Sequence, residues 1–375
     1  MRYYVISGEP SGDLHGGKLM RGIVAEDGEA QFRFCGGDCM AAVGGKEGML
    51  YHYTEMSFFG FVQVAMNLRT IFGQIDRVKA DIEVFNPDVI ILIDYPAFNL
   101  RIAKWAKNRG IKVYYYIAPK VWAWKERRVK ALRKYVDRLY TIFPFETEYF
   151  RSKGIEPVFC GNPLVDDIVE RRRSLPEREV FLRENNLDER PIVALLAGSR
   201  ISEIRANLPD MVALARCFPE CQFVVTAVKW IDRSIYDRYL AGSDVRYVCD
   251  RTQQTLAMSE AAVVTSGTAT LETALMGIPE VVLYHVPWLY EKLKPYFLSI
   301  PYISLVNINL GRESVREIVR SKFNIDEARE ELAAILPEGA KRERMMRDFG
   351  ELREMIGGEG ASRRFAKDMV KSLKR

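Results

Sequence analysis

At 375 residues the chain is too long for one typical hydrophobic core, so two domains are expected. With 48% hydrophobic and 28% charged residues it has the composition of a folded globular protein rather than a disordered one, and its longest apolar runs, such as Val89–Ile93, fall far short of a bilayer. A net charge of +5 admits an anionic partner without selecting among nucleic acid, an acidic membrane surface and a phosphorylated substrate.

Arg2–Ser7 reads as a strand, and because Met1-Arg2 leads straight into it no secretory leader is expected. The turn Ser7-Gly8-Glu9-Pro10-Ser11-Gly12-Asp13 follows and opens a helix expected over 15–26. It lacks the GxGxxG spacing of a dinucleotide site. Ser11 or Asp13 suits a helix cap, whereas Glu9 is not needed by a tight turn and suits a general base or a substrate ligand. A second strand is expected at 31–35 and a long amphipathic segment at 59–85. The stretch 58–66, with Phe59 and Val62, is apolar enough to serve as core, as an acyl groove or as a peripheral membrane patch.

Val89–Ile93 reads as a buried strand, five apolar β-formers after Asn86-Pro87-Asp88. Asp94 follows it directly. A carboxylate at the carboxyl end of a parallel strand lies where open α/β sheets bind ligands, and partial desolvation would raise its pKa toward that of a useful base. The same position also suits a cap for the helix expected over 100–109. After a strand at 112–117 comes Ala118-Pro119-Lys120-Val121-Trp122-Ala123-Trp124, whose proline and tryptophans offer flat apolar walls for a sugar face or an acyl chain. The basic run 125–134 suits a solvated helix face or contact with phosphate or anionic lipid.

A domain boundary is expected near Gly161-Asn162-Pro163, giving domains 1–161 and 162–340 and a two-helix tail, 341–375, that packs back on the first domain. The second half restarts the strand–helix alternation, with strands expected at Ile192–Leu196, 223–227, 246–248, 262–265 and 281–284. Gly198-Ser199-Arg200 follows the first of these and precedes a helix containing Glu203; backbone N–H groups and a guanidinium there make a phosphate site. Ser266-Gly267-Thr268 repeats the device, with Glu272 one turn on to hold ribose hydroxyls. Two such loops after parallel strands of one domain point to a nucleotide diphosphate. The fold class is therefore α/β, two Rossmann-like domains facing across a cleft. The six cysteines read as reduced thiols, since no CxxC pair occurs and only three histidines are present.

Taken together, these segments resemble the lipid-A-disaccharide synthase family. The resemblance rests on Gly8-Glu9 with Ser11-Gly12-Asp13, Gly36-Gly37, the stretch 56–60, Ile93-Asp94-Tyr95-Pro96 with Phe98-Asn99, Pro119 with Val121-Trp122-Ala123-Trp124, and Pro144-Phe145-Glu146. In the second half it rests on Gly198-Ser199-Arg200 with Glu203, Ser266-Gly267-Thr268-Ala269 with Leu271-Glu272, Tyr302 with Ser304-Leu305 and Asn307, and Gly311-Arg312-Glu313. It implies a GT-B architecture and an inverting, metal-free transfer of 2,3-diacylglucosamine from UDP to 2,3-diacylglucosamine 1-phosphate (lipid X), with no cofactor.

By that pattern Asp94 is the general base with Glu9 beside it. Gly198, Ser199, Arg200, Glu203, Ser266, Gly267, Thr268, Glu272 and Asn307 hold the nucleotide-sugar. Ser11, Gly12, Asp13, Phe59, Val62, Pro119, Val121, Trp122 and Trp124 form the acceptor and lipid side. The family often carries a second aspartate where this chain has Ala97, which concentrates the base role on Asp94. A histidine often seen at position 162 is Asn162 here, and a proline often seen at 306 is Val306. The expected setting is cytoplasmic, with peripheral contact to anionic lipid on the inner face of the cytoplasmic membrane, no nucleic acid, and a homodimer left open. The alternatives are another GT-B enzyme acting on UDP-GlcNAc, such as a peptidoglycan-type transferase or a UDP-sugar epimerase, and a non-enzymatic nucleotide-binding protein.

Overall fold

The structure is a computed structural model and describes residues 1–56, 68–122, 127–286 and 301–374. It divides into two compact units, Met1–Asp166 with Ile356–Arg375, and Asp167–Met355.

The first unit is built on a seven-stranded parallel sheet. Its strands are β1 (Arg2–Ser7), β2 (Gln31–Gly36), β3 (Met49–His52), β4 (Val89–Ile93), β5 (Lys112–Tyr116), β6 (Arg138–Thr141) and β7 (Val158–Phe159). Their order is β3-β2-β1-β4-β5-β6-β7, so the winding reverses between β1 and β4. Both faces are covered, as an all-parallel sheet requires. Tyr4, Ile6, Ile90 and Leu92 pack one face against the helices Leu68–Phe85 and Pro96–Lys107. Alternate residues Tyr3, Val5, Val89 and Ile91 pack the other against Pro10–Glu26 and Ala361–Leu373. Each fully buried side chain of this kind contributes about 1.5–3 kcal/mol.

The last helix belongs to this unit. The Asp166 carboxylate accepts the N–H groups of Gly360, Ala361 and Ser362 and so caps its start. Phe365 then meets Tyr116 and Tyr140 edge-on, with ring centres 5.1 and 5.7 Å apart.

The second unit has six parallel strands: β8 (Ile192–Leu196), β9 (Gln222–Ala227), β10 (Arg246–Cys249), β11 (Ser259–Val264), β12 (Glu280–His285) and β13 (Glu317–Arg320). Their order is β10-β9-β8-β11-β12-β13, so the winding reverses between β8 and β11.

Several elements differ from the sequence expectation for physical reasons. The first helix begins at Pro10 rather than at residue 15, because proline with its fixed φ is favoured in the first turn, while Gly12, Gly16 and Gly17 depress the local helical signal. β3, β6 and β13 had no clear strand pattern. β13 carries charges at both ends, Glu317 and Arg320, and β6 begins with Arg138, whose guanidinium is held by Asp368. None of the described helices is long and apolar enough to cross a membrane.

The first residue of β12, Glu280, is fully buried, and neither carboxyl oxygen has a hydrogen-bond partner among the described residues. Burial, and then repulsion from Glu317, push its pKa well above the ordinary carboxylate range. Replacing it with Met removes a buried unpartnered polar group that costs about 1–3 kcal/mol. Glu280→Met is therefore expected to raise the melting temperature by about 2–4 °C or more. A lower melting temperature would mean that the carboxyl is stabilised by a partner.

Candidate active site

In both sheets the loops that carry the candidate acids and phosphate sites leave the carboxyl ends of the two strands that flank the reversal in winding, whereas the tryptophan loop follows β5. That is where open α/β sheets bind ligands. In the first unit these strands are β1 and β4, and their register pairs Ser7 with Ile93. Glu9 and Asp94 therefore leave the sheet side by side.

Asp94 is held by its backbone. Asp94 and Tyr95 both have left-handed φ, 42° and 45°, a conformation that L residues adopt at a cost of about 1–3 kcal/mol and that persists only where the surroundings enforce it. Here the enforcement is explicit. The Asp94 N–H donates to Tyr116 O at 3.2 Å, and its carbonyl accepts from Asn99 Nδ2 at 2.8 Å and from the Tyr115 hydroxyl. Tyr95, whose hydroxyl donates to Met56 O, takes the cap position of the next helix. The cap position thus belongs to Tyr95 and not to Asp94.

Burial, then the Glu9 charge, push the Asp94 pKa up to about 6; Lys120, the Tyr95 N–H and Arg128 pull in the other direction. A carboxylate in that range is basic enough to accept a proton yet ionised at neutral pH. Glu9 is half-buried at the cap position of helix Pro10–Glu26, with its carbonyl accepting from Asp13 N at 2.9 Å.

Other expected contacts take structural roles instead. Asp13 does not cap its own helix. It is buried, and its carboxylate accepts from Gly37 N (2.7 Å), Cys39 N (3.0 Å) and Met40 N (3.1 Å), capping helix Asp38–Gly44. Gly12 is buried where a Cβ would lie 2.3 Å from Ser7 Oγ, so it serves close packing; Ser11 is exposed.

Among the described residues, the proline–tryptophan loop is not an exposed wall. Pro119, Val121 and Trp122 are buried, and Trp122 Nε1 donates to Glu146 Oε1 at 3.1 Å while its ring meets Phe145 edge-on. A buried, hydrogen-bonded indole is core rather than a lipid wall. Trp124, Phe59 and Val62 lie outside the described residues.

Glu146 and Lys120 are residues that sequence reasoning did not single out for a role, and Arg128 was read only as part of the basic run 125–134. Glu146 is buried in the first turn of helix Pro144–Ser152, where Ile142 N also donates to it. Burial pushes its pKa up to about 7, against the pull of Trp122, the backbone N–H groups and Lys120. The Pro144-Phe145-Glu146 run was a helix-start signal that could have located it.

In the second unit the corresponding loops follow β8 and β11. Glu203 turns back on its own helix start and accepts from Ser199 N at 3.0 Å and Arg200 N at 3.3 Å, with Arg200 Nη1 3.2 Å away. The first phosphate loop, beginning at Gly198, thus already holds an anion of its own. Trp230, mostly exposed, donates from Nε1 to Ser199 O and sets an apolar ring beside it.

The second loop differs. Gly267, at φ 110°, allows a turn that a side chain would strain, and helix Thr268–Met276 starts directly after it with no side-chain cap. Ser266 precedes that turn, and Glu272 lies within the helix, hydrogen-bonded by Gln253; burial raises its pKa.

Asn307 requires a correction. It is fully buried. Its Nδ2 donates to Val315 O and Glu317 Oε1, its Oδ1 accepts from Ser314 N and Val315 N, and its N–H donates to Ser304 Oγ. An amide with every site occupied has no capacity left for a nucleotide.

The family model for Lipid-A-disaccharide synthetase matches residues 3–365. The chain belongs to this family. It is 36% identical over 370 residues to the lipid-A-disaccharide synthase of Syntrophus aciditrophicus, covering 96% of this chain and 95% of that one. It is 34% identical over 378 residues to that of Myxococcus xanthus, covering 99% and 97%.

Solved structures with the same GT-B type fold include UDP-GlcNAc 2-epimerase from Neisseria meningitidis bound to UDP-GlcNAc, with TM-score 0.66, 12% identity and coverage of 99% and 100%. The glycotransferase of kitacinnamycin gives TM-score 0.62 and 16% identity, covering 99% and 98%.

Proposed function

We propose that this member of the lipid-A-disaccharide synthase family, a glycosyltransferase, moves 2,3-diacylglucosamine from UDP to the 6-hydroxyl of 2,3-diacylglucosamine 1-phosphate, with Asp94 as general base. The carboxylate removes the hydroxyl proton as the acceptor oxygen bonds to the anomeric carbon. The bond from that carbon to the diphosphate oxygen breaks, and UDP leaves with the electron pair. Attack opposite the leaving group inverts the anomeric centre and gives a β-1,6 linkage.

The observation that supports this most directly is the position of Asp94 at the winding reversal, fixed by a strained backbone, with its pKa pushed up to about 6. Glu9 raises the basicity of Asp94 by its charge. The epimerase alternative calls for acid and base groups serving the donor sugar, whereas the family match supports the transferase.

On the donor side, Ser266, Gly267 and Thr268 present a helix start to the leaving diphosphate, where the positive end of the helix dipole stabilises developing charge. Because Glu203 already occupies the N–H groups of Ser199 and Arg200, the first loop contributes chiefly through the Arg200 guanidinium, whose side chain is 72% exposed and able to turn toward phosphate. Glu272 is suited to the ribose hydroxyls.

Asp94→Asn removes the base while keeping the shape. Turnover is expected to fall by about 10²-fold or more with UDP binding retained, measured by a radiolabelled transfer assay beside calorimetry. In the wild type kcat/KM should fall as pH drops through about 6, since protonation removes the base. Near-wild-type turnover of Asp94→Asn would sink the assignment.

We also propose that the chain touches anionic lipid through the basic surface where Arg127, Lys130, Arg133 and Lys153 line a cavity of about 300 Å³. Flotation with vesicles containing anionic phospholipid should recover the protein at low salt and lose it at high salt. No recovery at either would refute the contact.

A further inference from the structure

The helix start assigned to the diphosphate is tied to a segment far along the chain. Gly267 forms an isolated parallel bridge with Ser304, a residue thirty-seven positions later in the chain. The next residue, Leu305, donates its N–H to Thr270 Oγ1 at 3.2 Å, and that hydroxyl donates to Gly267 O at 2.9 Å. The donor loop therefore rests on the short segment 303–305. That segment leads into helix Leu305–Leu310, and the N–H groups of half-buried Ile303 and buried Ser304 lie outside the helix and need an acceptor group.

That group is Glu317, the first residue of β13. One carboxylate oxygen accepts Ile303 N at 2.9 Å. The other accepts Ser304 N and Asn307 Nδ2, both at 2.9 Å. Asn307 closes the clasp from the other side. Its N–H donates to Ser304 Oγ at 3.2 Å, and its Oδ1 takes Ser314 N and Val315 N. Ser304, Thr270 and Asn307 are fully buried.

We infer that Glu317 is a positioning residue for the nucleotide diphosphate: its carboxylate, with Asn307, sets segment 303–305 at the height that holds Gly267 and the first turn of helix Thr268–Met276 in line for the phosphates. The inference rests on the reading of the Ser266-Gly267-Thr268 loop as the diphosphate site. It gives Asn307 a role acting through Ser304 and the loop, consistent with an amide that has no site left for a ligand. It also explains why an acid stands at the start of β13. Three N–H donors converge on it, and only a carboxylate accepts on both oxygens.

Glu317→Gln tests this, because the amide keeps one acceptor but turns an NH2 group toward a backbone N–H, donor against donor. Calorimetry with UDP on the full chain is expected to show affinity weakened by about tenfold. Steady-state kinetics should show the donor KM raised with the acceptor KM unchanged, a split that general destabilisation would not produce. Thr270→Val cuts the link at the loop end without touching Glu317 and is expected to weaken UDP in the same way; it carries the test if Glu317→Gln does not fold.

Gly267→Ala separates the two levels of the argument. If Gly267→Ala loses UDP while Glu317→Gln and Thr270→Val bind it like the wild type, the diphosphate site stands and the clasp is overturned. If Gly267→Ala binds UDP like the wild type, the site reading itself fails and the clasp falls with it.

Discussion

Two carboxylates, Glu9 and Asp94, leave adjacent strands of one parallel sheet at the same level, and the charge they share has to be balanced by the chain around them. The register of β1 on β4 makes their proximity unavoidable, since Ser7 faces Ile93 and each acid follows within two residues. Burial and mutual repulsion favour protonation of Asp94, whereas Lys120 and Arg128 favour its ionised form. The outcome is a carboxyl poised near 6 rather than near 4. With left-handed backbone at both residues, Tyr95 rather than Asp94 takes the cap position of the next helix, and the pull of the Tyr95 N–H on the Asp94 carboxyl is outweighed by burial and the Glu9 charge. The second buried acid, Glu146, is tied to the same balance through Lys120 and fixes the Trp122 segment that follows β5.

The second unit repeats the sheet topology and uses the reversal in winding for the opposite charge. Its two loops present helix starts, which attract anions, where the first unit presents acids. They are not equivalent. The loop beginning at Gly198 is already neutralised by Glu203, and the one at Gly267 has no side-chain cap. What holds the second loop is outside it, in the hydrogen bonds from Glu317 through Ser304 and Leu305. A site with a small, glycine-containing turn depends on such external support, because the turn contributes little packing of its own.

Much of this was legible in the sequence. The strands β4 and β8 are uninterrupted apolar runs and β1 and β11 each contain one, and the loops after them stand out against that background. Asp94, Glu9 and Gly267 were found because each follows such a strand. Side-chain direction was not legible. Asp13 and Trp122 sit in loops that look functional, but one caps the helix Asp38–Gly44 and the other is pinned inside the core by Glu146, an acid twenty-four residues away in the chain. Asn307 looked like a ligand because it lies in a distinctive motif, yet its amide is fully spent on Val315, Glu317 and Ser314. Glu317 was hidden for the converse reason: a charged residue opening a short strand reads as solvent-exposed, and only the fold reveals three donors converging on it. Long-range hydrogen bonds of this kind leave no periodicity in a sequence.

The most direct test of the account is a titration of the Asp94 carboxyl carbon by NMR in the ligand-free protein, assigned with Asp94→Asn. The account gives a midpoint of about 6, moving lower when Glu9→Gln removes the neighbouring charge. A midpoint near 4, unmoved by Glu9→Gln, would mean that Asp94 is an ordinary solvated carboxylate and would contradict the central claim.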